Sequence, residues 1–174
     1  MKNIKTFNLV IALGLLTSCV TFSQTCKTES EIPSTAPDSR FTDNNDGTIS
    51  DNGTNLMWQK CIVGITGINC GTGNGTAVDW QGALNEAENN NFLGYNDWRV
   101  PNIKEIASLI ERRCKNPALN TNYFPNTPNN FQWSSTPSSR VPNNSWNMII
   151  TDGYTNDSGS RGAFGYIRLV RTGQ

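Results

Sequence analysis

Cysteine spacing limits how this chain can fold more than any other feature of its sequence. Of its 5 cysteines, Cys19 lies three residues after an apolar N-terminal run, and the others are Cys26, Cys61, Cys70 and Cys114. If a leader that carries Cys19 is set aside, four cysteines remain. An even number of cysteines in an exported chain indicates disulfides, here two, for which three pairings are possible. We favour Cys61–Cys70, which closes a local loop, with Cys26–Cys114, which ties the N-terminal segment to a helix end. A zinc site is not expected, because no Cys-x-x-Cys pair and no histidine occur.

The N-terminal segment has the features of an export signal. Two lysines precede the apolar run Leu9–Leu16, which is much shorter than the roughly 20 residues of a membrane-spanning helix. The residues Leu16-Thr17-Ser18-Cys19 resemble a bacterial lipobox, which implies cleavage before Cys19 and acylation of that cysteine. We therefore expect a signal peptide at 1–18 and a lipid anchor in the outer membrane or at the cell surface. Cleavage after Ser23 is the alternative, and it would give a soluble periplasmic or secreted protein.

Charge and composition argue against a protein that binds polyanions. Lys and Arg number 14, as do Asp and Glu, and loss of the two leader lysines makes the mature chain slightly acidic. Such a domain lacks the basic surface that nucleic acids require, so no nucleic-acid partner is expected. Residues 19–39 are rich in Ser, Thr, Pro and Glu, and they are predicted to form a lipidated tether. Residues 40–174 are long enough for one domain with its own core.

Short strands and tight turns are predicted in the first part of the domain. Alternating apolar residues with Asp-Gly and Asn-Gly turns predict strands near 40–43, 47–50 and 55–58. A calcium-binding loop is rejected, because Thr42 and Gly53 would occupy positions that need a carboxylate.

Two helices and further strands follow, so the fold class is α+β with small antiparallel sheets. Asp79 is the predicted cap of the first helix. Asn102 and Glu105 form a capping-box pair for the second helix, which is predicted to end near Cys114. The later segments are predicted to form strands near 131–134, 146–150 and 166–171, with a polar loop at 158–165.

No catalytic or cofactor-binding motif is present. The lack of histidine excludes Ser-His-Asp and Cys-His machinery, and no nucleotide-binding glycine pattern occurs. We therefore expect no enzyme activity, no cofactor and no metal. The candidate ligand-binding residues lie in loops whose side chains suit hydrogen bonding to sugars: Arg140, Tyr154 and Arg161.

Other conspicuous side chains have structural interpretations. A basic cluster follows the second predicted helix: Arg112, Arg113 and Lys115. We interpret it as positive charge that compensates the negative C-terminal end of the helix dipole. Burial in the core is predicted for the five tryptophans: Trp58, Trp80, Trp98, Trp133 and Trp146.

A series of landmarks runs from residue 40 to the end. The most specific is Gly94–Glu105, with the sequence GYNDWRVPNIKE, and the others are FTD at 41–43, DGT at 46–48, LMW at 56–58, WSST at 133–136 and IRLVR at 167–171. They resemble the C-terminal domain family of the Legionella collagen-like protein, the Lcl C-terminal domain family. The resemblance implies a fold related to C-type lectin-like domains and formylglycine-generating enzymes. By analogy with the adhesin, it also implies binding of sulfated glycosaminoglycans.

Three functional hypotheses remain. The first is a cell-envelope binding or adhesion module for glycans or sulfated polysaccharides. The second is a structural or protein-interaction lipoprotein of the envelope. The third is an oxidase of the formylglycine-generating kind, which would require free paired cysteines. The first is preferred, and no oligomeric state is predicted.

Overall fold

The computed structural model describes residues 23–173, so the predicted signal peptide and the lipidation site at Cys19 lie outside the described residues. Short strands and two helices make up the described part, which confirms the α+β class. The strands are β1 (Thr25–Cys26), β2 (Phe41–Asp43), β3 (Thr48–Asp51), β4 (Leu56–Gln59), β5 (Ile65–Thr66), β6 (Thr72–Gly73), β7 (Cys114–Lys115), β8 (Phe131–Pro137), β9 (Asn144–Ile149), β10 (Tyr154–Ser160) and β11 (Val170–Thr172); the helices are α1 (Trp80–Glu88) and α2 (Ile103–Ser108).

An antiparallel four-stranded sheet has the order β11-β4-β3-β2. The predicted meander is confirmed, since β2, β3 and β4 pair in sequence order. Ile49 pairs with Trp58, which pairs in turn with Val170, and all three are fully buried. Because directly opposed residues share one face of a sheet, these side chains form a continuous apolar row across the strands.

A second antiparallel sheet has the order β10-β9-β8, with β10 at its edge. The polar loop predicted from residue 158 is wrong in its first part, because β10 continues to Ser160, and Gly159 pairs with Ser145. A register shift between Asn156 and Gly159 marks a bulge in this strand. An edge strand that faces solvent needs few apolar residues, so its composition resembles that of a loop.

The closing strand is shorter than predicted. Only Val170–Thr172 pairs as a strand, whereas 166–169 crosses between the two main sheets. The main-chain N–H of Trp133 donates to Tyr166 O, and the N–H of Gln59 donates to Leu169 O. This crossing segment therefore bonds to both sheets, and three of its side chains are fully buried: Ile167, Arg168 and Leu169.

Both helices begin at the predicted caps. Asp79 accepts a hydrogen bond from the Gly82 N–H at 2.7 Å, and Asn102 with Glu105 forms a complete capping box. The predicted end of the second helix is wrong, since α2 stops at Ser108. Beyond it the chain turns back and pairs with the residues that follow, because the Glu111 N–H donates to Ala118 O rather than continuing the helical ladder.

The dipole interpretation of the basic cluster is consequently wrong as well. Cys114 and Lys115 form β7, which pairs with β1. The Arg113 guanidinium donates to Glu29 at 2.9 Å, while Arg112 and Lys115 are exposed.

Residues 23–40, the N-terminal arm, pack against the domain. The Gln24 side chain donates to the main-chain oxygens of Pro117 and Leu119, at 2.7 Å each. Ala36 is fully buried in the core. The packed unit therefore begins before residue 40, and the described part of the predicted tether belongs to the fold.

Two disulfides, Cys26–Cys114 and Cys61–Cys70, confirm the favoured pairing. Burial is also confirmed for Trp58, Trp98 and Trp133, whereas Trp80 and Trp146 are half-buried. Among the helices of residues 23–173, none has the length and apolar character needed to cross a membrane.

Candidate functional site

A cleft of about 510 Å³ opens at one end of the four-stranded sheet, and we call it the hairpin cleft. Four segments line it: the β2–β3 turn at 43–47, the end of β4, the disulfide loop at 61–70, and the turn after α1 at 90–92. A volume of several hundred Å³, with mostly apolar walls and a few polar groups, is typical of a small-ligand site.

Two aspartates stabilise the β2–β3 turn. Asp43 Oδ1 accepts from the Asn45 N–H, and Asp46 Oδ1 accepts from the Thr48 N–H, both at 2.9 Å. Gly47 has a φ of 93°, and a Cβ at this position would lie 2.9 Å from Cζ of Phe92. Residue 47 is therefore glycine both for its backbone conformation and for the close approach of the aromatic ring.

Lys60 places a buried ammonium beside the cleft. Its side chain is 8% exposed, and Nζ lies 2.7 Å from Asp43 Oδ2. Burial raises the pKa of Asp43, but the hydrogen bonds from Lys60 and the Asn45 N–H outweigh it, so this pKa lies below its usual range. An ammonium has three donors, and among residues 23–173 Asp43 is the hydrogen-bond partner of one of them. The other two donors have no hydrogen-bond partner among these residues.

Phe92 forms an aromatic wall of the cleft and is 37% exposed. Side chains that bond to the main chain of Phe92 fix its position. The indole Nε1 of Trp98 donates to Phe92 O at 2.9 Å. The Phe92 N–H donates to Asn90 Oδ1 at 3.2 Å, and Gln59 Nε2 donates to the same oxygen at 2.9 Å. The aromatic wall is thereby connected to the end of β4.

The disulfide loop forms the opposite wall. Gly64 and Gly67 have φ values of 87° and 89°, which lets the chain turn sharply. Ile68 is 78% exposed, and the neighbouring Asn69 O accepts from Asn126 Nδ2 at 2.8 Å. The loop is thus closed by its disulfide, and near its C-terminal end it is hydrogen-bonded to Asn126.

Arg168 supports the floor of the cleft from inside the protein. It is fully buried, and its Nη1 donates to the main-chain oxygens of Gln59 and Lys60 while Nη2 donates to Thr127 Oγ1. Burial lowers the pKa of Arg168 to about 9, so the group stays charged at neutral pH. This side chain fixes the backbone where β4 passes into the disulfide loop.

The structure does not gather the three predicted ligand-binding residues into one site. Arg140 and Arg161 lie near the β8–β9 turn, since the Arg161 N–H donates to Asn143 O in that turn. Tyr154 is 54% exposed at the opposite end of β10. At about 3.3 Å per residue, roughly 20 Å separates the two ends of this strand.

Both of these arginines already have partners. Arg140 makes two bonds of 2.6 Å to the carboxylate of Asp157. The Arg161 guanidinium lies 4.2 Å from the centroid of the Trp80 ring and donates to Ser145 Oγ at 2.9 Å. Their role in ligand binding stays a prediction, and the hairpin cleft is the better-formed site.

The side chains of the hairpin cleft are not recognisable from the sequence. Asp43 has the pattern of a turn residue, and Phe92 follows a run of asparagines. The one local indication is the position of Lys60 immediately before Cys61, where a stapled loop must begin. Within residues 23–173, no group of three His, Cys, Asp or Glu side chains is placed to hold a metal ion.

Comparison with known proteins identifies the domain. The Lcl C-terminal domain model matches residues 47–171, a range that includes both helices, most of the two main sheets without β2, and most of the hairpin cleft. No curated protein matches the sequence. Because the matched range covers more than half of the 174 residues, the chain belongs to the Lcl C-terminal domain family.

Proposed function

We propose that this protein is a non-catalytic binding module of the cell envelope, and that it contacts glycans through the hairpin cleft. One observation carries the proposal: the buried Lys60 ammonium, paired with Asp43, keeps two donors unused beside the exposed Phe92 ring. Sugars present hydroxyl groups that donate and accept hydrogen bonds, together with an apolar face that packs on aromatic rings. The cleft supplies a partner for each of these features.

The ionisable groups support binding rather than catalysis. Burial raises the pKa values of Asp51 and Glu105, but hydrogen bonds from Arg40 and Arg99 outweigh it and hold both below their usual range. A general acid or base works best with a pKa near the operating pH. The pKa values of these two carboxyls are instead shifted further below neutral pH. The cysteines of residues 23–173 are cross-linked, which argues against the oxidase hypothesis.

Lipid on Cys19 anchors the module in the outer membrane or at the cell surface. The support is the lipobox resemblance of Leu16–Cys19, together with the docked N-terminal arm. Since Gln24 is already bonded to the fold, the five residues from Cys19 reach roughly 18 Å when fully extended. The anchor therefore keeps the domain close to the bilayer.

A structural or protein-interaction role is the second candidate. It is favoured by two strongly exposed apolar side chains, Ile68 at 78% and Phe164 at 68%. Apolar side chains that form a contiguous exposed patch are a feature of protein-binding surfaces. A protein partner would therefore contact these side chains.

Binding of the soluble mature chain to a glycan array tests the choice between the two. Lys60→Gln removes the cationic donor, and loss of a hydrogen bond to a charged group should weaken glycan binding roughly tenfold or more. Lys104→Gln is the matched control, because Lys104 is exposed and does not line the cleft. Phe92→Leu keeps the Lys60–Asp43 pair and serves as a second cleft variant if Lys60→Gln unfolds. A blank array, or binding that neither cleft variant changes, would contradict the glycan proposal.

Incorporation of a radiolabelled fatty acid tests the anchor separately. Wild type should take up label and fractionate with membranes, whereas Cys19→Ala should do neither. Absence of label in wild type would show that the chain is cleaved elsewhere.

A further inference from the structure

We propose that the hairpin cleft selects uncharged saccharides and rejects sulfated ones. This inference rests on the proposed glycan-binding function and adds the charge of the ligand. It departs from the polyanion that the family resemblance implies, and it follows from which charges in the cleft are already compensated.

The cleft has a slight excess of negative charge. Its charged lining side chains are Asp43, Asp46 and Lys60. Asp43 compensates the single ammonium at 2.7 Å. Asp46 is exposed, and among residues 23–173 it has no cationic partner within 4.0 Å. A sulfate in the cleft would therefore meet an uncompensated carboxylate, together with a cation that already has its counterion.

Protein sites for sulfate and phosphate usually offer arginine forks or lysines whose charge is free. Among residues 23–173, no arginine lines the cleft, and three that could be considered have other partners. Arg168 points into the core, where it binds main-chain oxygens. Arg140 is occupied by Asp157, and Arg161 is packed on Trp80.

The same geometry suits neutral hydroxyl groups. Lys60 has spare donors and Asp43 is an acceptor, and the two groups lie side by side. A pair of adjacent sugar hydroxyls can accept from the first group and donate to the second, which satisfies both without adding charge. The Phe92 ring offers apolar surface to the carbon face of the sugar. A cleft of about 510 Å³ accommodates a short saccharide segment.

Matched polysaccharide pairs that differ only in sulfation test the proposal. Suitable probes are dextran with dextran sulfate, laminarin with laminarin sulfate, and mannan with mannan sulfate, each measured by biolayer interferometry at 50 and 300 mM NaCl. The soluble mature chain is used with Arg112→Gln and Lys115→Gln, because these exposed cations lie outside the cleft and would bind any polyanion.

In every pair that binds, the neutral member should bind more tightly than the sulfated member. Two like charges 4 Å apart in water repel by about 1 kcal/mol, so each such contact should weaken binding of the sulfated member roughly fivefold. Its affinity should change little with salt. Asp46→Asn removes the charge but keeps the oxygen that accepts from the Thr48 N–H, so it should narrow the preference. Glu86→Gln on the exposed face of α1 is the control and should leave it unchanged.

Tighter, salt-sensitive binding of the sulfated members would overturn the proposal, as would a failure of every neutral member to bind. These results are distinguishable from failure of the proposed function. If Lys60→Gln abolishes the binding of a sulfated glycan, the cleft does bind glycans, and only the prediction that the ligand is uncharged is wrong. If no cleft variant affects any glycan, the glycan-binding function itself is wrong.

Discussion

The N-terminal arm and the disulfide loop are each held by one disulfide, yet different forces stabilise them. The arm buries Ala36 completely, and its backbone donates to the buried carboxylate of Glu111 from Thr35 and Ala36. The disulfide loop instead exposes Ile68, and its short strand β5 pairs over two residues with β6, which lies just beyond the loop.

This difference shows that a disulfide has two separate uses in the same domain. In the arm it reinforces a segment that packing and hydrogen bonds already hold. In the loop it replaces a core that the segment cannot build, since five of the six residues from 64 to 69 are exposed. We therefore expect loss of Cys26–Cys114 to lower global stability, and loss of Cys61–Cys70 to disorder the cleft wall.

The largest effect is expected from Cys26→Ser with Cys114→Ser. This crosslink spans 88 residues, and in the chain-entropy model its removal costs about 4.6 kcal/mol, chiefly by freeing the unfolded chain. Urea unfolding measures the loss. Limited proteolysis should cut the arm near residues 27–32 and leave 34–38 protected by Glu111. Release of the whole arm would show that the disulfide alone holds it.

A smaller global loss is expected from Cys61→Ser with Cys70→Ser. The separation is 9 residues, for which the same model gives about 2.6 kcal/mol. Hydrogen exchange at 66–69 should nevertheless approach that of an unfolded chain, because these residues are exposed, whereas the Val63 N–H, which donates to Ile167 O, should stay protected. If the amides of 66–69 stay protected, the contrast with the arm is incorrect.

Local signals predicted the parts of the fold that depend on short-range interactions. The caps Asp79 and Asn102 bond to backbone two or three residues away, so the sequence pattern is sufficient to place them. The end of α2 was predicted wrongly, because it is set by pairing of Ile110 with Leu119 across a later turn.

The cleft could not be predicted for the same reason, at longer range. Its floor depends on Arg168, which binds the Lys60 carbonyl from 108 residues away in the chain. No local pattern around Lys60 indicates that its side chain is buried. Disulfide pairing was predictable because one loop is short, which left the remaining two cysteines to pair.

Glu111→Gln tests how much of the arm is held by the buried carboxylate. The side chain is 4% exposed, and removing its charge should cost roughly 2 kcal/mol, as for hydrogen bonds to charged groups. Exposed Glu86→Gln on α1 is the control and should change little. If both variants are equally stable, the arm is held by its disulfide and Ala36 alone.

The Glu111 contribution should also depend on pH. Burial raises the pKa of Glu111, but bonds from the Ser34 hydroxyl and from three main-chain N–H groups outweigh it and hold this pKa below its usual range. A carboxyl whose pKa is lowered by folding stabilises fully above its unfolded pKa, and this stabilisation disappears as the pH falls through the folded value. The gap between wild type and Glu111→Gln should therefore be widest above pH 5 and should narrow below pH 4.

The smallest effects, and opposite in sign, are expected from two glycines at the disulfide loop. Gly67 lies inside the loop with a φ of 89°, and a Cβ there would meet only Thr72, at 3.4 Å or more. Gly67→Ala should therefore destabilise by about 1 kcal/mol through backbone strain alone. Gly71 lies just outside the loop with nothing within 4 Å of a Cβ and no left-handed φ, so Gly71→Ala should stabilise by about 0.5 kcal/mol by restricting the unfolded chain. Thermal denaturation of the pair measures both signs. If backbone conformation shapes the loop, the two substitutions must change stability in opposite directions. Equal effects would mean that the disulfide alone determines the shape of the cleft wall.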